Sequence, residues 1–170
     1  MARYNVFLWT RISLLLLICT CYFYCTLYSN QPPNTGDGLI HFFISQASWS
    51  DPILFLNHWG KPLFTLFSSP FSQFGYEGIV VFNCIVFSLT IIISWKIFDY
   101  YNINKAISIV FPCILFSIPD INETILSGLT EPFFNLVLIL SVYFFIKEKY
   151  LFFSLLISTI PFCRSEGQLV

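Results

Sequence analysis

Charged side chains are few in this chain, so those set among apolar residues are the first place to look for chemistry. A charge at the centre of a membrane span costs about 2.5–3.5 kcal/mol on insertion scales, so each must either reach the interface with its polar end or serve a function. Six positions stand out on that test: Asp37, Lys61, Asp120, Glu131, Arg164 and Glu166. Asp37 sits in Gly36-Asp37-Gly38, where paired glycines permit a sharp turn and close approach to the carboxylate. It suits a general base, or else an ordinary turn or cap before an interfacial helix. Lys61, in Gly60-Lys61-Pro62-Leu63-Phe64, presents a cation at headgroup level, to hold a phosphate or simply to snorkel. Glu131 stands in Gly128-Leu129-Thr130-Glu131-Pro132, either one turn into an apolar span or in the first turn of a helix capped by Thr130. Arg164 and Glu166 follow a short apolar run. They pair with each other, line a cavity, or mark the stop of a helix at the interface.

Other chemistries find no support. His41 and His58 have no Glu or Cys partner at ligand spacing, and there is no Gly-rich phosphate loop, His-Glu-x-x-His or Gly-x-Ser-x-Gly; no metal or cofactor is expected. The six cysteines lie within apolar runs and read as small buried residues rather than a disulfide framework. Asn122-Glu123-Thr124 matches a glycosylation acceptor, a pattern of low information. A net charge of −1, with no basic run beyond Lys147-Glu148-Lys149, excludes a nucleic-acid partner.

The elements that must position these residues follow from composition. In 170 residues, 56% are hydrophobic, 20% aromatic and only 10% charged. With a mean hydropathy of +0.76, the chain has too little polar surface for a soluble globule, whereas a lipid-facing exterior needs none. The expected fold is all-α: a polytopic membrane bundle of about five transmembrane helices, at 12–28, 78–98, 103–119, 126–146 and a short fifth at 150–163. Arg3, Arg11, Lys96, Lys105, Lys147 and Lys149 then fall on one side, which places the amino terminus in the cytoplasm. The first span lacks a small-x-small cleavage site and reads as a retained helix. A long outer loop, 29–77, is too apolar to be unstructured, and 39–47 and 62–69 suit helices lying in the interface plane. The segment 120–124 reads as a short outer connection. The whole of 1–170 forms one transmembrane domain, and its apolar finish after Gly167 reads as the amino-terminal part of a longer protein.

In that order the motifs resemble the amino-terminal half of the GT-C class of integral-membrane glycosyltransferases, which includes the protein O-mannosyltransferases and aminoarabinose transferases. Gly36-Asp37-Gly38 is similar to the acidic motif of the first outer loop, and Gly60-Lys61-Pro62-Leu63 to a Lys-Pro stretch. Leu129-Thr130-Glu131-Pro132 is similar to an acidic motif of the fourth span, and Arg164-Ser165-Glu166-Gly167 to an Arg-Pro-Glu-Gly element. Leu63 and Ser165 stand where many relatives carry proline. The resemblance implies transfer of a sugar from a polyprenyl- or dolichyl-phosphate donor to an acceptor hydroxyl on a glycan, lipid or protein, at the outer face of a plasma or ER membrane. It implies catalytic roles for Asp37 and Glu131, with Lys61 and Arg164 on the donor phosphate. The alternative is a non-catalytic multi-pass subunit or transporter-like protein in which the same charges support the fold.

Overall fold

The computed structural model describes residues 2–28, 36–164 and 167; among them are eight α-helices, one 3₁₀ turn and no strand. Helix α1 (Ala2–Tyr28) lies antiparallel to α4 (Tyr76–Tyr100). Arg11 near the start of α1 meets Asp99 near the end of α4, and further along Cys19 meets Ser88 and the Tyr22 ring stands edge-on to Phe87. Helix α5 (Lys105–Phe116) is capped by the Asn104 side chain, which accepts from the Ala106 N–H at 2.9 Å. Helix α6 (Pro119–Leu126) follows at a bend of 66°. Helices α7 (Glu131–Ile146) and α8 (Tyr150–Cys163) form a hairpin in which Phe144 stacks on Phe152 and Phe145 packs on Phe153.

Two shorter helices cover one end of this bundle. Helix α2 (Gly36–Ala47) and helix α3 (Pro62–Ser72) are joined through a 3₁₀ turn at Pro52–Leu56 that Asp51 caps. Their seam is built of buried small residues, with Ser45 and Ser68 hydroxyls 2.8 Å apart and Thr65 and Ser72 fully buried. Small side chains let two backbones approach closely, and each hydroxyl finds a local partner. Gly60 shows the same constraint, since a Cβ there would come within 2.6 Å of Ile44 on α2.

The core is two clusters that share α4. Phe64 of α3 meets Phe82 of α4 and Phe133 of α7 with centroids 5.7 and 6.2 Å away, and Ile79, Val137 and Ile160 complete that cluster. The other joins Ile18 and Tyr22 of α1 to Phe87, Ile91 and Trp95 of α4 and Ile125 of α6. The exterior is left strongly apolar: Trp9, Leu16, Leu17 and Phe23 on α1, and Leu151, Phe152 and Leu155 on α8, are all exposed. Surfaces of that kind suit a lipid environment. Two helices, α1 and α4, are by themselves long and apolar enough to cross a membrane; the bent pair α5 and α6 makes a third if taken as one span, and α7 and α8 are shorter apolar helices.

Three expectations require correction. Gly36-Asp37-Gly38 is the first turn of α2 rather than a sharp turn, so Asp37 sits at a helix start, where the helix dipole favours a carboxylate. The segment 120–124 is helical, because Pro119 opens α6 with no N–H to lose and Asp120 occupies its first turn. The fourth span, expected from 126, becomes helical only from Glu131, so of the two readings of this residue the helix start after Thr130 holds.

Candidate active site

At the end of the bundle covered by α2 and α3, a cavity of about 280 Å³ is lined by Asp37, His41, Trp59, Lys61, Leu129, Thr130, Glu131 and Arg164. Asp37 and His41 are one helical turn apart on α2, which puts both on one face. Trp59 and Lys61 come from the segment before α3. There Asn57 Oδ1 accepts from the Trp59 and Gly60 N–H groups at 2.8 and 3.2 Å, and the Gly60 carbonyl accepts from the Thr65 hydroxyl at 2.8 Å. Lys61 takes φ 59° and ψ 101° immediately before Pro62. A non-glycine residue with positive φ is strained, by roughly 1–3 kcal/mol in sparsely populated regions, and such residues cluster at functional sites.

Leu129, Thr130 and Glu131 reach the cavity because the chain unwinds between α6 and α7. Gly128 has φ +65°, and a Cβ there would come within 2.8 Å of Ile79, so both backbone and space call for glycine. Asn83, fully buried on α4, donates from Nδ2 to the Leu129 carbonyl at 3.0 Å, with longer contacts to the carbonyls of Thr124 and Ile125. Those carbonyls belong to the end of α6, where intrahelical donors run out, so one side chain both closes that helix and fixes the strand of backbone leading to Glu131. Thr130 occupies the N-cap position, although its hydroxyl makes no capping bond. Glu131 Oε1 then accepts from Arg164 Nη1 at 3.0 Å, tying the start of α7 to the end of α8. Glu131 Oε2 is buried and has no hydrogen-bond partner.

The structure therefore brings Asp37, Lys61, Glu131 and Arg164 to one cavity and leaves Asp120, exposed on α6, outside it. Arg164 pairs with Glu131; Glu166 lies outside the described residues. Two lining residues carried no distinctive sequence signal as site residues, Trp59 and His41. Only the spacing of His41, four positions after Asp37, points to the cavity. Burial lowers the His41 pKa from 6.5 to about 4, with the Asp37 carboxylate acting in the opposite direction and the Lys61 ammonium adding to the fall. The imidazole is thus neutral near pH 7, with one donor and one acceptor nitrogen.

Asn122, the matching glycosylation position, has both ends of its amide engaged: Oδ1 accepts from the Tyr22 hydroxyl and Nδ2 donates to the Phe116 carbonyl. Among the described residues no group of three or more His, Cys, Asp or Glu side chains is placed to hold a metal ion. Compared with protein-family models, with curated proteins and with solved structures, the chain matches none of them.

Proposed function

We propose that this chain is the amino-terminal part of a GT-C class glycosyltransferase that takes a sugar from a polyprenyl- or dolichyl-phosphate donor at the outer face of a plasma or ER membrane. In this scheme α1, α4, α5, α7 and α8 make five crossings, the amino terminus is cytoplasmic, and α2, α3 and α6 lie in the outer interface. The observation that carries the proposal is the meeting of Asp37, Lys61, Glu131 and Arg164, remote in sequence, around one polar cavity in an otherwise apolar chain.

Asp37 takes the proton of the acceptor hydroxyl as that oxygen attacks the anomeric carbon, and the bond from that carbon to the lipid phosphate breaks in the same inverting displacement. Lys61 meets the negative charge gathering on the departing phosphate, which counts for more where water is scarce. Glu131 orients the acceptor, and Arg164 holds Glu131 while adding positive charge on the phosphate side. The test is transfer of labelled sugar from a polyprenyl-phosphate donor in membranes containing the protein as cells express it. Asp37→Asn is expected to lower transfer by about a hundredfold or more with abundance unchanged; transfer that persists in the variant removes Asp37 from the reaction.

Taken alone, the Glu131–Arg164 pair favours the other reading, a non-catalytic membrane subunit held together by its charges. In that case Glu131→Gln lowers thermal stability or assembly, and sugar transfer is absent from the wild type as well as the variant.

A further inference from the structure

His41 is only 6% exposed, and its Nδ1 has no hydrogen-bond partner. A buried polar atom left unpaired costs about 1–3 kcal/mol, a cost that a phenylalanine packed edge-on to Phe64 would avoid. Glu131 Oε2 is a second unpaired buried atom at the same cavity. The wall also carries the indole of Trp59, which is half exposed.

These three groups share a chemistry that differs from that of Lys61. A phosphate gains little from a neutral imidazole and is repelled by a carboxylate oxygen. A sugar ring has the opposite character: its hydroxyls both donate and accept, so they satisfy an imidazole nitrogen and an acceptor-only carboxylate oxygen, while its C–H face packs on an aromatic ring. The cavity, at about 280 Å³, is close to the lower limit for small-ligand pockets.

We propose that His41, together with Trp59, is the specificity-determining part of this cavity, reading the hydroxyls and the C–H face of the sugar ring while Lys61 holds the phosphate. The inference rests on the sugar-phosphate reading of the site given above, and its test uses soluble probes in place of transfer.

The purified full chain in detergent is titrated with glucose 1-phosphate, mannose 1-phosphate and galactose 1-phosphate, against glycerol phosphate as a phosphate monoester without a ring. At least one hexose phosphate is expected to bind about tenfold more tightly than glycerol phosphate. In His41→Phe that preference falls to about twofold or less with glycerol phosphate affinity unchanged, since the lost bond concerns the ring alone. His41→Phe is expected to keep or raise the thermal midpoint, because it removes an unpaired buried atom. Trp59→Ala, at a half-exposed position, gives the same loss of preference by a second route. A preference undiminished in His41→Phe overturns the proposal, as does equal or absent binding of hexose phosphates and glycerol phosphate by the wild type. Loss of ring preference in the variants with no Asp37-dependent transfer overturns only the enzymatic reading. Asp37-dependent transfer with kcat/KM unchanged in His41→Phe overturns only the role of His41.

Discussion

Lys61 holds its ammonium group at the cavity from a backbone conformation that side chains other than glycine avoid, with φ 59° directly before a proline. Gly60 cannot relieve it, because that position is pressed against Ile44 and Thr65. Lys61→Gly is therefore expected to be more stable than Lys61→Ala by about 1 kcal/mol, the strain outweighing the added freedom of the unfolded chain. Both variants lose the charge, so thermal midpoints isolate the backbone effect, and an alanine variant more stable than the glycine one by about 0.4–1 kcal/mol shows that no strain is stored. His41 adds a pH dependence whose sign is fixed by its lowered pKa. Between about 4 and 6.5 the unfolded chain binds a proton at this position that the folded chain refuses, so stability is lost as pH falls through that window. The thermal midpoint of the wild type is expected to drop from pH 7 to pH 5 more steeply than that of His41→Phe; parallel curves would mean that the imidazole protonates freely in the folded protein.

At the level of helices, α1 is docked at the end away from the cavity by a polar cluster around Arg11. Arg11, 8% exposed in its side chain, makes a two-pronged bond to Asp99 at 2.8 and 2.9 Å and reaches the Ser108 hydroxyl at 2.8 Å, while the Trp95 indole N–H donates to the Ser108 carbonyl at 2.7 Å. The pair is asymmetric, since the Asp99 side chain is 59% exposed. Arg11→Met leaves a carboxylate that water can solvate, whereas Asp99→Ala strips a buried guanidinium of its counter-charge. Asp99→Ala is expected to be the more destabilising, by on the order of 1–2 kcal/mol, in unfolding of the detergent-solubilised protein; the reverse order would show that the arginine reaches water. None of this pairing is legible in the sequence, because Arg11, Asp99 and Ser108 are brought together only when α1, α4 and α5 pack. Local signals fared better. The apolar run 150–163 suits a helix and forms α8, and Pro62 opens α3 as its first-turn preference suggests. Pro119 and Asp120 carry the same helix-start signature, but the reading of 120–124 as an outer connection hid α6 and the 66° bend before it. The unwound 127–130 segment depends on Asn83, a buried donor on another helix that local pattern could not reveal. Asp37, Lys61, Glu131 and Arg164 stand out in the sequence as charges in apolar surroundings; their meeting requires the fold.

Across the whole molecule, the two clusters of charged side chains lie at opposite poles. One holds Arg11, Asp99, Lys105 over the Phe7 ring and Lys147 over the Tyr100 ring; the other holds the cavity. The helices between them differ in reach. At 1.5 Å per residue, the 25 residues of α4 extend about 38 Å, but the 16 of α7 and the 14 of α8 extend only about 24 and 21 Å. Against a hydrocarbon core of about 30 Å, a crossing by α7 and α8 from the basic pole leaves the Glu131–Arg164 pair several ångströms below the far surface, roofed by α2 and α3. A phosphate there would be reached from the lipid side with little water present, which is the condition under which Lys61 acts most strongly. This geometry depends on five crossings, and labelling decides the matter. If only α1 and α4 cross, residues 120 and 149 share one side; with α5 and α7 also crossing and α6 lying at the outer surface, 120 is outside and 149 is inside. Both Asp120 and Lys149 are exposed. With the six cysteines replaced by alanine, Asp120→Cys is expected to react with a membrane-impermeant maleimide on intact cells, and Lys149→Cys only after permeabilisation. Equal labelling of both positions would confine the crossings to the two long helices, lift Glu131 and Arg164 out of the bilayer, and remove the dry setting on which the proposed phosphate chemistry depends.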